Sequence, residues 1–142
     1  MNLIPDIAQA VVDEMNDAES AFSMPFEAVR AYVPKYDLAE MGVLHVTVIP
    51  RSSESEQLTR SDVQEDVVID IAVQQKVLPT DLDAIDDLMA LVREIDRFFR
   101  LRTLEAVEAS WVKSENNPIY SPEHLKEKSL FTSVLSLTYR VL

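Results

Sequence analysis

Two histidines, His45 and His124, are where catalytic or metal chemistry would have to start in this chain. A metal centre gathers several His, Cys, Asp or Glu ligands, commonly with two of them a few residues apart. His45 lies inside a run of β-branched residues and His124 in a polar stretch. Neither belongs to a cluster at ligand spacing, and there is no cysteine to supply a thiolate. Both are read as structural or solvated side chains. Serines are plentiful, but none stands in a G-x-S-x-G elbow, which the single glycine, Gly42, could not build. Nucleophilic catalysis would need a pocket that brings one of the histidines to a serine and a carboxylate from distant positions. Enzyme is not the natural reading, and no cofactor is called for.

The remaining charged and aromatic groups point to surfaces. Asp83, Asp86 and Asp87 lack the loop spacing and glycine of a calcium-binding EF-hand. Acids at the start of a helix, where the dipole is positive, account for them. Arg93, Arg97, Arg100 and Arg102 hold four of the 13 basic residues. Three of them share one helical stripe, suited to dipole complementation and salt bridges or to an acidic neighbour such as a second copy of the chain. Phe98, Phe99, Trp111 and Tyr120 are expected as core or loop anchors, not as a base-stacking platform.

Charge sharpens that exclusion. With 25 acids against 13 bases, and a net charge of −12, the chain is poorly made for gripping a phosphate backbone. One glycine also rules out glycine-rich phosphate loops. Hydrophobic content of 47% suits a folded domain with a real core, and no apolar run approaches the roughly eighteen residues of a membrane span. The N-terminal stretch carries acids early and lacks a basic start, unlike a secretion signal. The absence of cysteine is compatible with a reducing cytoplasm.

These groups must be held by a scaffold, and its clearest element is Thr80–Arg100. Leu82, Ile85, Leu88, Met89, Val92, Ile95 and Phe99 recur at helical spacing, Leu91 and Phe98 widen the apolar face, and Thr80 with Asp83 suggests a capping box. Residues 3–18 give a first amphipathic helix, with Asn2 as a possible cap and Pro5 tolerated in the first turn. Ser20–Pro25 reads as a linker. Strands are expected at Phe26–Val33, at Val43–Ile49 and at Val63–Lys76, where Val67, Ile69, Ile71 and Val73 alternate with Asp66, Asp70 and Gln74. Lys35–Met41 is polar and irregular. Arg51–Asp62 is rich in serine and charge and predicts an exposed loop. Ala109–Lys113 predicts a short strand, Ser114–Lys128 a second loop, and Leu130–Val141 a closing strand whose alternation is broken at Ser133.

The order α-β-β-β-α-β-β predicts a single α+β domain over residues 1–142. Its mostly antiparallel sheet of four to five strands carries two main helices packed on one face. Tyr32 and Val68 are expected on the other face, part of which is free to be covered by something else.

In size, order and texture the chain resembles the tail-terminator (tail-completion, neck) proteins of bacteriophages and prophages. The resemblance is carried by the opening helix LIPDIAQAVVDEM, the segment Ala31–Arg51 and the strand VVIDIAVQQK. It continues through the helix DLDAIDDLMALVREI, the stretch Glu115–Leu125 and the closing strand FTSVLSLTYRV. It implies a structural subunit that assembles, typically as a hexameric ring, on the end of the tail tube, stops its polymerisation and joins tail to head. Partners would be further copies of itself, the tube protein and the head connector. DNA would pass through without being held, there would be no membrane or small-molecule partner, and the place of action would be the virion neck, assembled in the host cytoplasm. Head-closure or another connector role, or a protein-binding adaptor outside phages, are the alternatives. On this reading the working residues are surface groups: Arg51, Glu54, Glu56 and Arg60 of the first loop, Arg93, Arg97 and Arg100 of the helix, and Tyr120 and His124 of the second loop.

Overall fold

The structure, a computed structural model, describes residues 2–34 and 41–142, and of Glu19 the backbone alone. In chain order it has helix α1 (Leu3–Asp17), strand β1 (Ala28–Arg30), long strands β2 (His45–Gln57) and β3 (Val63–Lys76) and helix α2 (Leu82–Phe99). Strands β4 (Thr103–Leu104) and β5 (Ala109–Glu115), helix α3 (Pro122–Lys128) and strand β6 (Leu130–Val141) complete it. The strands form one sheet in the order β1-β2-β3-β6-β5-β4. β1 runs parallel to β2, and every other pair is antiparallel.

The α+β class is as expected, but the sheet is mixed and six-stranded. The added strand, β4, is only two residues long and leaves no periodic signal. The irregular stretch expected at Lys35–Met41 lies outside the described residues except for Met41, which is buried.

The core forms where the alternation of β3 predicts it. Val67, Ile69, Ile71 and Val73 are all 0% exposed. Across the ladder Val67 faces Tyr139, Ile69 faces Leu137 and Ile71 faces Leu135 of β6. Ile7, Val11 and Met15 of α1 and Leu88, Leu91, Val92, Ile95 and Phe99 of α2 close over them in the same apolar cluster. Each such side chain contributes on the order of 1.5–3 kcal/mol on burial. Asn16, at the end of α1, fastens β1: its amide accepts from the Ala28 N–H (2.8 Å) and donates to the Ala28 carbonyl (3.0 Å).

Helix α2 starts one residue later than the capping box at Thr80 implied. Asp81 is the N-cap, its carboxylate accepting from the Ala84 N–H at 3.2 Å. Leu82, expected on the buried stripe, is 67% exposed, since the first turn precedes the helix's contact with the sheet. At the other helix, Asn2 occupies the N-cap position without a side-chain capping bond.

The largest departure is at Arg51–Asp62. It is a continuation of β2 up to Gln57, paired with β3 as far as Gln57 opposite Val63, and closed by a tight turn in which Thr59 and Asp62 bond to each other. Backbone pairing needs no apolar side chains, so a hairpin exposed on both faces carries no alternation to read. A bulge between Pro50 and Ser52 marks where the arm leaves the core. The opposite departure is at Phe26–Val33, which shrinks to the three residues of β1. Tyr32 lies beyond it, exposed, beneath the Arg30 guanidinium at 5.7 Å.

Candidate interaction surfaces and the groove on the second face

The alternation that sends the β3 valines and isoleucines into the core sends Asp70, Ala72 and Gln74 to the opposite face, beside Thr132, Val134 and Ser136 of β6. A second consequence follows from Ser133, the gap in the alternation of β6. Buried at the edge of the core, its hydroxyl donates to the Ile119 carbonyl (2.7 Å) and accepts from the Asn116 amide (3.0 Å). Asn116 also donates to the Val134 carbonyl and the Ser121 N–H to the Thr132 carbonyl, both at 2.8 Å. The polar gap is therefore a latch that lays residues 116–121 along β6.

The latched stretch ends at α3, a helix the sequence reading missed inside its second loop. Ser121 caps it by accepting from the His124 N–H, Pro122 occupies its first turn, and Ser129 ends it in the left-handed region at φ 50°. Between this wall and the sheet lies a groove of about 540 Å³. Tyr120 and His124 stand on the wall, and Arg51 on the β2 side. Thus three of the expected surface residues, drawn from both expected loops, share one site.

Two sets of side-chain contacts and one orphan stand out among the groove's polar groups. Arg51 donates to the Ser136 hydroxyl (3.2 Å), Ser136 donates to Asp70 (2.6 Å), and the Arg51–Asp70 ion pair is loose at 3.8 Å. With Arg51 61% exposed, that pair is worth no more than a few tenths of a kcal/mol. The ring Nδ1 of His124 lies 3.0 Å from the Thr132 hydroxyl. Gln74 is the orphan. It is 0% exposed, and neither its Nε2 nor its Oε1 has a hydrogen-bond partner among the described residues. A buried unpaired polar group costs on the order of 1–3 kcal/mol. The alternation of β3 predicts the face on which Gln74 stands but not that it is buried.

The other candidates stay apart from the groove. Glu54, Glu56 and Arg60 lie along the exposed arm, the last at its turn, where its carbonyl accepts from Gln57. At the root of the arm Arg140 forms two bonds with Asp66, at 2.9 and 3.1 Å, which hold the guanidinium even more firmly protonated than usual. The arginines of α2 do not act as one group. Arg100 pairs with Asp96 along the helix at 2.7 Å, and Arg102 stacks on Phe98 (3.9 Å) and pairs with Glu14 of α1 (3.3 Å). Arg93 and Arg97 remain on the exposed face. Asp83, Asp86 and Asp87 are exposed as well, and no group of three or more potential metal ligands occurs among the described residues.

No protein-family model matches the chain, and no curated protein matches it either. No helix among the described residues is long and apolar enough to cross a membrane.

Proposed function

We propose that this protein is a structural subunit of phage assembly, a tail terminator that closes into a ring on the end of the tail tube, halts its growth and joins tail to head. The observation that supports it best is the β2–β3 arm. From Ile49 to Gln57 the outer edge of β2 faces no other strand among the described residues, and residues 51–62 are exposed throughout. An open edge of this length templates pairing with another chain, which monomeric proteins usually blunt. Pro50 and the adjacent bulge limit indiscriminate pairing without closing the edge. Arg93 and Arg97 on α2 offer cations to an acidic neighbour, and a net charge of −12 suits a conduit that must not hold the genome passing through it.

The test is electron microscopy and native mass measurement of the purified protein, alone and with tube protein. Closed rings of identical subunits support the reading. A species that stays monomeric in both settings overturns it, as does retention on duplex DNA at physiological salt with a dissociation constant tighter than about 10⁻⁶ M, the tight end of non-specific binding. One observation favours a second reading, a protein-binding adaptor module: the groove around Gln74, which a ring subunit does not require.

A further inference from the structure

We infer that the groove on the second face is a binding site for a short extended segment of another polypeptide, neutral or basic in character, which Gln74 holds by its backbone. The molecule contains its own precedent. Asn16 uses one carboxamide to clasp the N–H and the carbonyl of a single residue, Ala28, in an extended strand. Gln74 presents the same donor and acceptor, fully buried and unmatched by any group among the described residues, in the lining of a groove of about 540 Å³. An extended residue turns both its backbone groups to one side, so it satisfies both halves of such an amide at once.

The surroundings fit that occupant and disfavour others. Volume is in the range of small-ligand sites, about 300–1,000 Å³, too small for a helix about 10–12 Å across. Ala72 and Val134 leave the floor shallow, while Pro34, Pro118 and Tyr120 give flat apolar walls. Charge decides the class. Among the described lining residues Arg51 is the one Arg or Lys, bonded to Ser136 and loosely paired with Asp70, while Glu115 adds a second carboxylate. A phosphate or an acidic peptide would meet net repulsion, and a neutral or lysine-bearing segment would not. This holds whether or not the subunit closes into rings.

The experiment is a titration of the ¹⁵N-labelled full chain, following the Gln74 side-chain amide and the backbone amides of Thr132 and Val134. The probes are blocked tetrapeptides Ala-Lys-Val-Lys, Ala-Gln-Val-Gln and Ala-Glu-Val-Glu, with inorganic phosphate as the fourth. The lysine and glutamine peptides should move these signals saturably, and the glutamate peptide should bind about tenfold more weakly or worse. Gln74→Met should weaken the response about tenfold or more while leaving the melting temperature unchanged or higher, since a buried unpaired amide is removed. Val134→Phe, made at a 38% exposed position, fills the groove without touching the core and should abolish the response. The inference is overturned if no peptide gives a saturable shift at millimolar concentration, or if phosphate alone binds. It is equally overturned if the response survives in Val134→Phe, or if Gln74→Met folds with the peptide response intact.

Discussion

Strand β3 is two different strands placed end to end. Its inner part, Val67–Val73, turns one face into a core where every apolar side chain is sealed, and its outer part, Val63–Asp66, belongs to an arm with no core beneath it. Both parts keep the same antiparallel ladder to β2 without interruption apart from one bulge. The comparison separates two things that usually travel together. Backbone pairing makes a strand, and side-chain burial makes it stable in isolation. The arm has the first and little of the second, so its side chains are free to serve a surface.

The sharpest way to break this contrast is to truncate a side chain in the core and, separately, one on the arm. Ile71→Ala should cost about 2–5 kcal/mol in denaturant unfolding, because it leaves a cavity among residues that cannot collapse. A loss under 1 kcal/mol would mean that the inner part is not the sealed core it looks to be. Ser133→Ala tests the joint between the core and the groove wall. It should cost about 1–3 kcal/mol by stripping the Ile119 carbonyl and the Asn116 amide of their shared partner. Hydrogen exchange at Ser121 should rise with it, and unchanged protection there would show that the latch holds by other contacts.

A smaller effect concerns Tyr139, whose ring is in the core and whose hydroxyl has no hydrogen-bond partner among the described residues. Burial, reinforced by Glu14, pushes its pKa far above the ordinary value of 10, with Arg102 acting weakly the other way. The unfolded chain therefore releases this proton above pH about 10 while the folded chain retains it. Its contribution is fully present below that pH and is lost as pH rises through the window above it, by about 1.4 kcal/mol per unit. Tyr139→Phe should flatten the alkaline fall of stability and leave neutral-pH stability within about 1 kcal/mol. An unchanged alkaline slope would assign the fall to other groups. Smallest of all, Glu54→Ala on the arm should move stability by no more than about 0.5 kcal/mol. If ring formation or partner pairing nevertheless changes, the arm is a surface that works without stabilising the subunit.

The contrast also explains what could be read beforehand. α2 and the inner part of β3 were legible because burial on one side and water on the other impose a period of 3.6 or of 2 on residue type. The arm at Arg51–Asp62 read as a loop because water on both sides imposes no period. α3 was hidden for a similar reason, as it has no fully buried residue. Arg51 belongs to one expected loop and Tyr120 and His124 to the other, and the meeting of the two loops in one groove has no signature in the chain.

Composition and periodicity by themselves determined the α+β class, most of the core-facing residues of α2, β3 and β6, and a net charge of −12. Those properties follow from what each residue type does at a water boundary, and local spacing records it. Tertiary structure alone decided that β6 enters the sheet beside β3, that Ser133 becomes a latch and that Gln74 is buried with no partner among the described residues. Each of these depends on which distant segment arrives at a given face, and the spacing along the chain carries no record of that.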